Sequence, residues 1–190
     1  MIARVEAESV PGGIAAGKVG VWWFLASEIM LFGGLITSYI VFRLGGPGWA
    51  EAAHHLSVPL ASLNTLVLLT SSFTVVKAFV AAERGDAPAL RLFLALTILG
   101  GLIFLGIKAV EYTTEIRAGF TPAAGIFWSF YYTMTGLHAL HVLGGVVVNG
   151  VVLATEGVSV THPHRVELAG LYWHFVDVVW IFLFPLLYLV

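Results

Sequence analysis

Apolar residues run in five long stretches, each closed by a short cluster of charged, proline or glycine residues. The stretches are roughly Val19–Phe42, Val58–Ala82, Ala89–Val110, Gly125–Ala154 and Ala169–Val190. Each holds about 20 residues or more, enough at about 1.5 Å per residue to cross a hydrocarbon core of about 30 Å. The breaks carry turn chemistry: Gly45-Gly46-Pro47-Gly48, Glu83-Arg84-Gly85-Asp86-Ala87-Pro88, Thr121-Pro122 and Thr161-His162-Pro163-His164-Arg165. The pattern predicts an all-α polytopic membrane protein. A polar tail, residues 1–17, precedes one five-helix membrane domain over 18–190, with spans near 19–42, 58–82, 89–110, 125–154 and 169–190.

Composition sharpens this picture. The chain is 59% hydrophobic and 11% charged, with a mean hydropathy of +0.95. A soluble domain of this length buries only about two-thirds of its surface and could not hide so much apolar side chain. The net charge of -2 argues against a nucleic-acid partner, since phosphate binding needs clustered Lys and Arg. There is no cysteine, which excludes disulfides, thiolate copper centres, iron–sulfur clusters and covalent c-type haem. Glu6, Glu8 and Pro11-Gly12-Gly13 do not make the basic, quickly apolar start of a cleavable leader.

Five spans put the two ends on opposite sides. Arg4, Lys18, Lys77, Arg84, Arg91 and Arg165 collect on the face of the N-terminus, against Arg43, Lys108 and Arg117 on the other. That bias places the N-terminus in the cytoplasm and the C-terminus outside. Glycines inside the spans, such as Gly100, Gly101, Gly144 and Gly145, suit close approach of helix backbones in a packed bundle.

Polar groups inside apolar spans are where function is sought, because an acidic group at a bilayer centre costs roughly 3 kcal/mol. Helix rise from the N-terminal side puts His174 about 8 Å deep, Asp177 about 13 Å, Glu28 about 15 Å and His141 about 20 Å. His138 shares a face with His141, as His174 does with Asp177, by their spacing of three. One inward-facing cluster of Glu28, His138, His141, His174 and Asp177 is therefore expected. Within it, Glu28 reads as a neutral bonded carboxyl or a proton- or lipid-handling group, and His174 with Asp177 as an interhelical hydrogen bond. Glu111 and Tyr112 read as outer-end residues, with Glu111 snorkelling to the interface. His162, His164 and Glu167 are candidates for collecting protons at the cytoplasmic surface. Three other uses are compatible with these residue types. Haem could sit between His141 and His174. A di-iron site could draw on His54-His55, His138 with His141, and His162 with His164. A transporter could relay protons through Glu28 and Asp177. Scattering of the histidines over both faces and the middle disfavours a metal site, and none is expected.

The motifs resemble subunit III of the haem–copper respiratory oxidases. Tyr172-Trp173-His174-Phe175-Val176-Asp177-Val178-Val179-Trp180 is similar to that family's terminal helix at every position. Ser27-Glu28-Ile29-Met30-Leu31-Phe32, Leu63-Asn64-Thr65 with Leu68-Leu69-Thr70-Ser71-Ser72, Glu111-Tyr112, and Thr135-Gly136-Leu137-His138-Ala139-Leu140-His141-Val142 follow in family order. Two departures stand out. Many members have seven helices and this chain lacks the first pair, and Lys108 stands where the family often has Gln. The resemblance implies a non-redox subunit of a proton-pumping terminal oxidase in an aerobic respiratory chain, in a bacterial inner membrane. It implies packing on subunit I, with subunit II and other respiratory-complex subunits as further partners. Bound phospholipid is implied, as are support of proton uptake and slower inactivation during turnover. Haem and copper are expected in partner subunits, no cofactor in this chain, and no catalytic centre of its own. Ser27-Glu28 looks more like cytochrome c oxidases than quinol oxidases; an accessory membrane protein of a nitric-oxide reductase is the nearest alternative.

Overall fold

A segment crossing lipid must close its backbone hydrogen bonds within itself, and long helices do so. The computed structural model describes residues 16–155 and 160–189. Among them are six helices and no strand: α1 (Ala16–Leu44), α2 (Trp49–Ala53), α3 (Val58–Glu83), α4 (Ala87–Arg117), α5 (Ile126–Ala154) and α6 (His164–Tyr188). All but α2 are long and apolar enough to cross a membrane. Most of the expected tail lies outside the described residues.

Helix ends follow local chemistry. Pro59 and Pro88 sit in the first turns of α3 and α4, where a missing N–H costs nothing. Asp86 caps α4 by accepting from the Ala89 N–H at 3.0 Å. Gly85 and Gly119, at φ 70° and 93°, end α3 and α4 in left-handed turns. There Asp86 N–H donates to Ala81 O and Phe120 N–H to Glu115 O, each at 2.9 Å.

Two boundaries differ from the hydropathy reading by five residues or more. α4 runs seven residues past Val110, because Glu111 and Glu115 are buried in the bundle rather than at its rim. α6 starts five residues early, at His164, with Glu167 in its first turn. The short α2 has no hydropathy signal. Trp49 holds it, packed edge-on to Tyr39 at 5.0 Å and against Phe127 and Phe130 of α5.

α3 and α4 form the largest interface, and α3, α4, α5 and α6 pack in a ring; α1 packs lightly on α5 and α6 and meets α2 through Tyr39 and Trp49. At the centre lies the fully buried Trp173. Its indole rests on Gly101 of α4 and Gly145 of α5, and donates to Ser71 Oγ of α3 at 3.1 Å. A Cβ on Gly145 would come within 2.6 Å of the ring, and one on Gly101 within 2.7 Å. A rigid indole cannot retreat as a flexible chain would. Gly145→Ala is therefore expected to destabilise the bundle by about 1–3 kcal/mol, read as a lowered Tm in detergent. Gly150→Ala, with open space at its Cβ, is the control.

Candidate functional site

The five polar residues expected in one cluster fall in three places. On α1, Glu28 Oε2 meets His141 Nε2 of α5 at 3.0 Å. The other ring nitrogen of His141 lies 2.8 Å from the Leu137 carbonyl. A carbonyl only accepts, so Nδ1 carries a hydrogen. The Glu28–His141 axis then holds one proton, either as a carboxylic acid donating to a neutral imidazole or as a carboxylate accepting from an imidazolium. Both forms have zero net charge. Phe32 packs edge-on to the imidazole at 5.3 Å, and Tyr172 donates to the His141 carbonyl at 3.0 Å.

In the second place, His174 Nδ1 of α6 is 2.6 Å from Ser72 Oγ of α3. Asp177, one turn further along α6, is 3% exposed. The Ser72 hydroxyl neighbours its carboxyl, yet neither oxygen makes a hydrogen bond of acceptable geometry. Of the pair expected to bond between helices, His174 does so, to Ser72, and Asp177 lies beside the same hydroxyl without a bond of its own among the described residues.

His138 stands alone. It is fully buried, stacked on Trp180 at 5.1 Å and edge-on to Phe104 at 5.4 Å, with neither nitrogen hydrogen-bonded. A spacing of three leaves about 60° between side chains on a helix. Here that offset sends His138 toward α4 and α6 while His141 faces α1. The two imidazoles that could oppose each other across a haem, His141 and His174, are engaged with Glu28 and Ser72.

Near the first turns of α1 and α6, Lys18 and His164 converge on Glu167 at 2.6 and 3.1 Å. This joins α1 to α6 and unites two of the proposed proton collectors. The third, His162, bonds Thr161 at 2.9 Å. Together with Glu28–His141 and a bond of 2.9 Å from Tyr39 Oη to Leu186 O, three polar contacts along its length hold the lightly packed α1. Between α1, α5 and α6 runs an open groove of about 660 Å³. Its walls include Phe24, Val147 and Val151, and Arg165, from the first turn of α6, lines it too.

The strongest polar centre went unread in the sequence. Lys108, 2% exposed, donates to Glu111 Oε2 at 2.8 Å, Tyr131 Oη at 3.1 Å and Tyr188 Oη at 2.8 Å. Tyr188 donates in turn to Glu111 Oε1 at 2.8 Å. Glu111 therefore does not snorkel: it is 4% exposed and ion-paired. Tyr112 bonds Thr135 at 2.6 Å and lends its ring face to the Lys108 ammonium. The i, i+3 spacing of Lys108 and Glu111 was the available signal; the two tyrosines come from other helices.

The sequence profile of cytochrome c oxidase subunit III matches residues 7–190. The chain is 40% identical to cytochrome c oxidase subunit 3 of Corynebacterium diphtheriae, over 98% of this chain and 93% of that one. It is 36% identical to the probable cytochrome c oxidase subunit 3 of Mycobacterium tuberculosis H37Rv, over 99% and 93%. To the probable quinol oxidase subunit 3 of Staphylococcus haemolyticus it is 32% identical, over 91% and 88%.

Proposed function

Since this chain belongs to the cytochrome c oxidase subunit III family and is thereby an integral membrane subunit of a haem–copper oxidase, we propose that it scaffolds and tunes a proton-pumping enzyme that takes electrons from cytochrome c. In this reading it packs on subunit I, alongside subunit II, and binds phospholipid. It supports proton uptake, while the haems and copper reside in the partner subunits. It lies in a bacterial inner membrane with its N-terminus in the cytoplasm.

The observation that carries this reading is α1. Trp23 and Met30 are 76% and 79% exposed, and three polar contacts position a helix that shares little surface with its own bundle. A helix of that kind is completed by neighbouring protein or lipid. The groove beside it suits acyl chains, with Arg165 at the depth of an anionic headgroup. Glu167, drawn together with Lys18 and His164 near the same surface, suits proton collection. Cytochrome c is favoured over quinol by Ser27-Glu28 and by the higher identity to cytochrome c oxidase relatives.

Variants of Glu28 test the tuning role. Gln keeps a donor to His141 but cannot give up a proton; Ala removes the bond as well. Both should leave the haem spectrum of the assembled oxidase unchanged. If the pair handles protons, Glu28→Gln should shorten the turnover lifetime as much as Glu28→Ala. If it only holds α1 in place, Gln should behave as the parent does. Loss of haem in either variant would contradict the reading.

A further inference from the structure

Asp177 is a buried carboxyl that the packing does not explain. A carboxyl kept in a helix bundle for structure alone is expected to accept hydrogen bonds from the opposite helix, because an unsatisfied buried group costs stability. Asp177 has none among the described residues, although it lies on the α3-facing side of α6, beside Ser72. What it does have is a connection outward. The Ser72 hydroxyl contacts His174 Nδ1 at 2.6 Å, and the His174 ring lines a cavity of about 140 Å³ between α3 and α6. The walls are apolar, including Val75, Phe79 and Leu171, and the only other polar lining residue is Glu167. Glu167 stands two turns back along α6, about 10 Å nearer the helix start, where it meets Lys18 and His164.

We propose that His174 and Ser72 form a proton entry from the α6 N-terminal side to Asp177, which is a proton-storing site inside this subunit. Imidazole binds a proton at one nitrogen while releasing one from the other, and a hydroxyl accepts and donates at once. A proton arriving through the cavity is taken at His174 Nε2, the ring nitrogen not engaged with Ser72. The Nδ1 hydrogen passes to Ser72 Oγ, and the hydroxyl hydrogen passes to an Asp177 carboxylate oxygen. One proton has then crossed, the carboxylate has become a neutral acid, and His174 is left neutral as the other tautomer. The reverse sequence returns it. The titratable groups facing this route are Glu167 in the cavity wall, with Lys18 and His164 bound to it, and His174 and Asp177 further along.

This inference rests on the oxidase reading only for the origin of the protons. It is tested on the purified, resting oxidase complex by infrared spectroscopy across a pH series and during exchange into D2O. The haem spectrum of the same sample reports separately on the oxidase reading. Asp177→Asn should remove one protonated-carboxyl C=O band from the parental spectrum. His174→Phe and Ser72→Ala should slow deuterium exchange of that band by roughly 100-fold, the lower range of what a positioned proton-transfer group supplies. His174→Gln, which preserves a polar contact to Ser72 but cannot relay a proton, should be as slow as His174→Phe. Exchange at the parental rate in His174→Gln or Ser72→Ala would overturn the proposal. So would an Asp177→Asn spectrum that lacks no carboxyl band at any pH.

Discussion

Lys108→Met should destabilise the bundle by about 3–5 kcal/mol, the cost of leaving one member of a buried ion pair without its partner. All three ammonium hydrogens are used, on Glu111, Tyr131 and Tyr188. The rings of Tyr112, Tyr131, Trp180 and Tyr188 also lie within 5.5 Å of the charge. Removing the ammonium strands Glu111 at 4% exposure with Tyr188 as its remaining hydrogen-bond partner. It also loosens the end of α6, which Tyr188 ties to α4. The loss should appear as a lower unfolding temperature of the detergent-solubilised complex. Lys108→Met combined with Glu111→Leu should recover most of it, because replacing a buried pair by apolar residues is often close to neutral. Equal destabilisation in the single and double variants would mean that the charge pair is not the source.

The second large effect is expected at Trp173. Trp173→Ala should cost about 3–5 kcal/mol, combining lost contacts with the hole left behind. The ring bridges Gly101 and Gly145, so its removal opens a void against two backbones that cannot move closer without bending their helices. Ser71 loses its indole donor as well. Trp173→Phe should cost less, since it keeps part of the ring contact and gives up the hydrogen bond. Unfolding temperatures of the three proteins in one detergent give the comparison; a Phe variant as damaged as Ala would point to the hydrogen bond rather than the packing.

The spans were legible because an apolar run of membrane length has one structural solution in lipid. α3 begins where the pattern said it would, at Val58. What escaped was azimuth. Counting rise gave Glu28 and His141 similar depths, and they do meet. Height could not tell that His138, one turn away, would face Phe104 and Trp180 instead. The Lys108 centre escaped for a related reason. Its acid is nearby in sequence, but the phenols that bury the pair arrive from α5 and α6. Apolar α2 was invisible because a five-residue helix depends on the pocket that receives Trp49. The terminal-helix motif, by contrast, takes inward positions in α6: Trp173, His174 and Trp180 bond Ser71, Ser72 and Thr65 of α3, and Asp177 is buried beside them.

The most direct test is co-purification. The tagged chain, extracted from its native membrane in mild detergent, should bring a haem-containing complex that reduces oxygen. When dissociated from that complex, it should carry no stoichiometric iron or copper. Recovery of the chain alone from a membrane with active oxidase, or of haem bound to the separated polypeptide, would contradict the account.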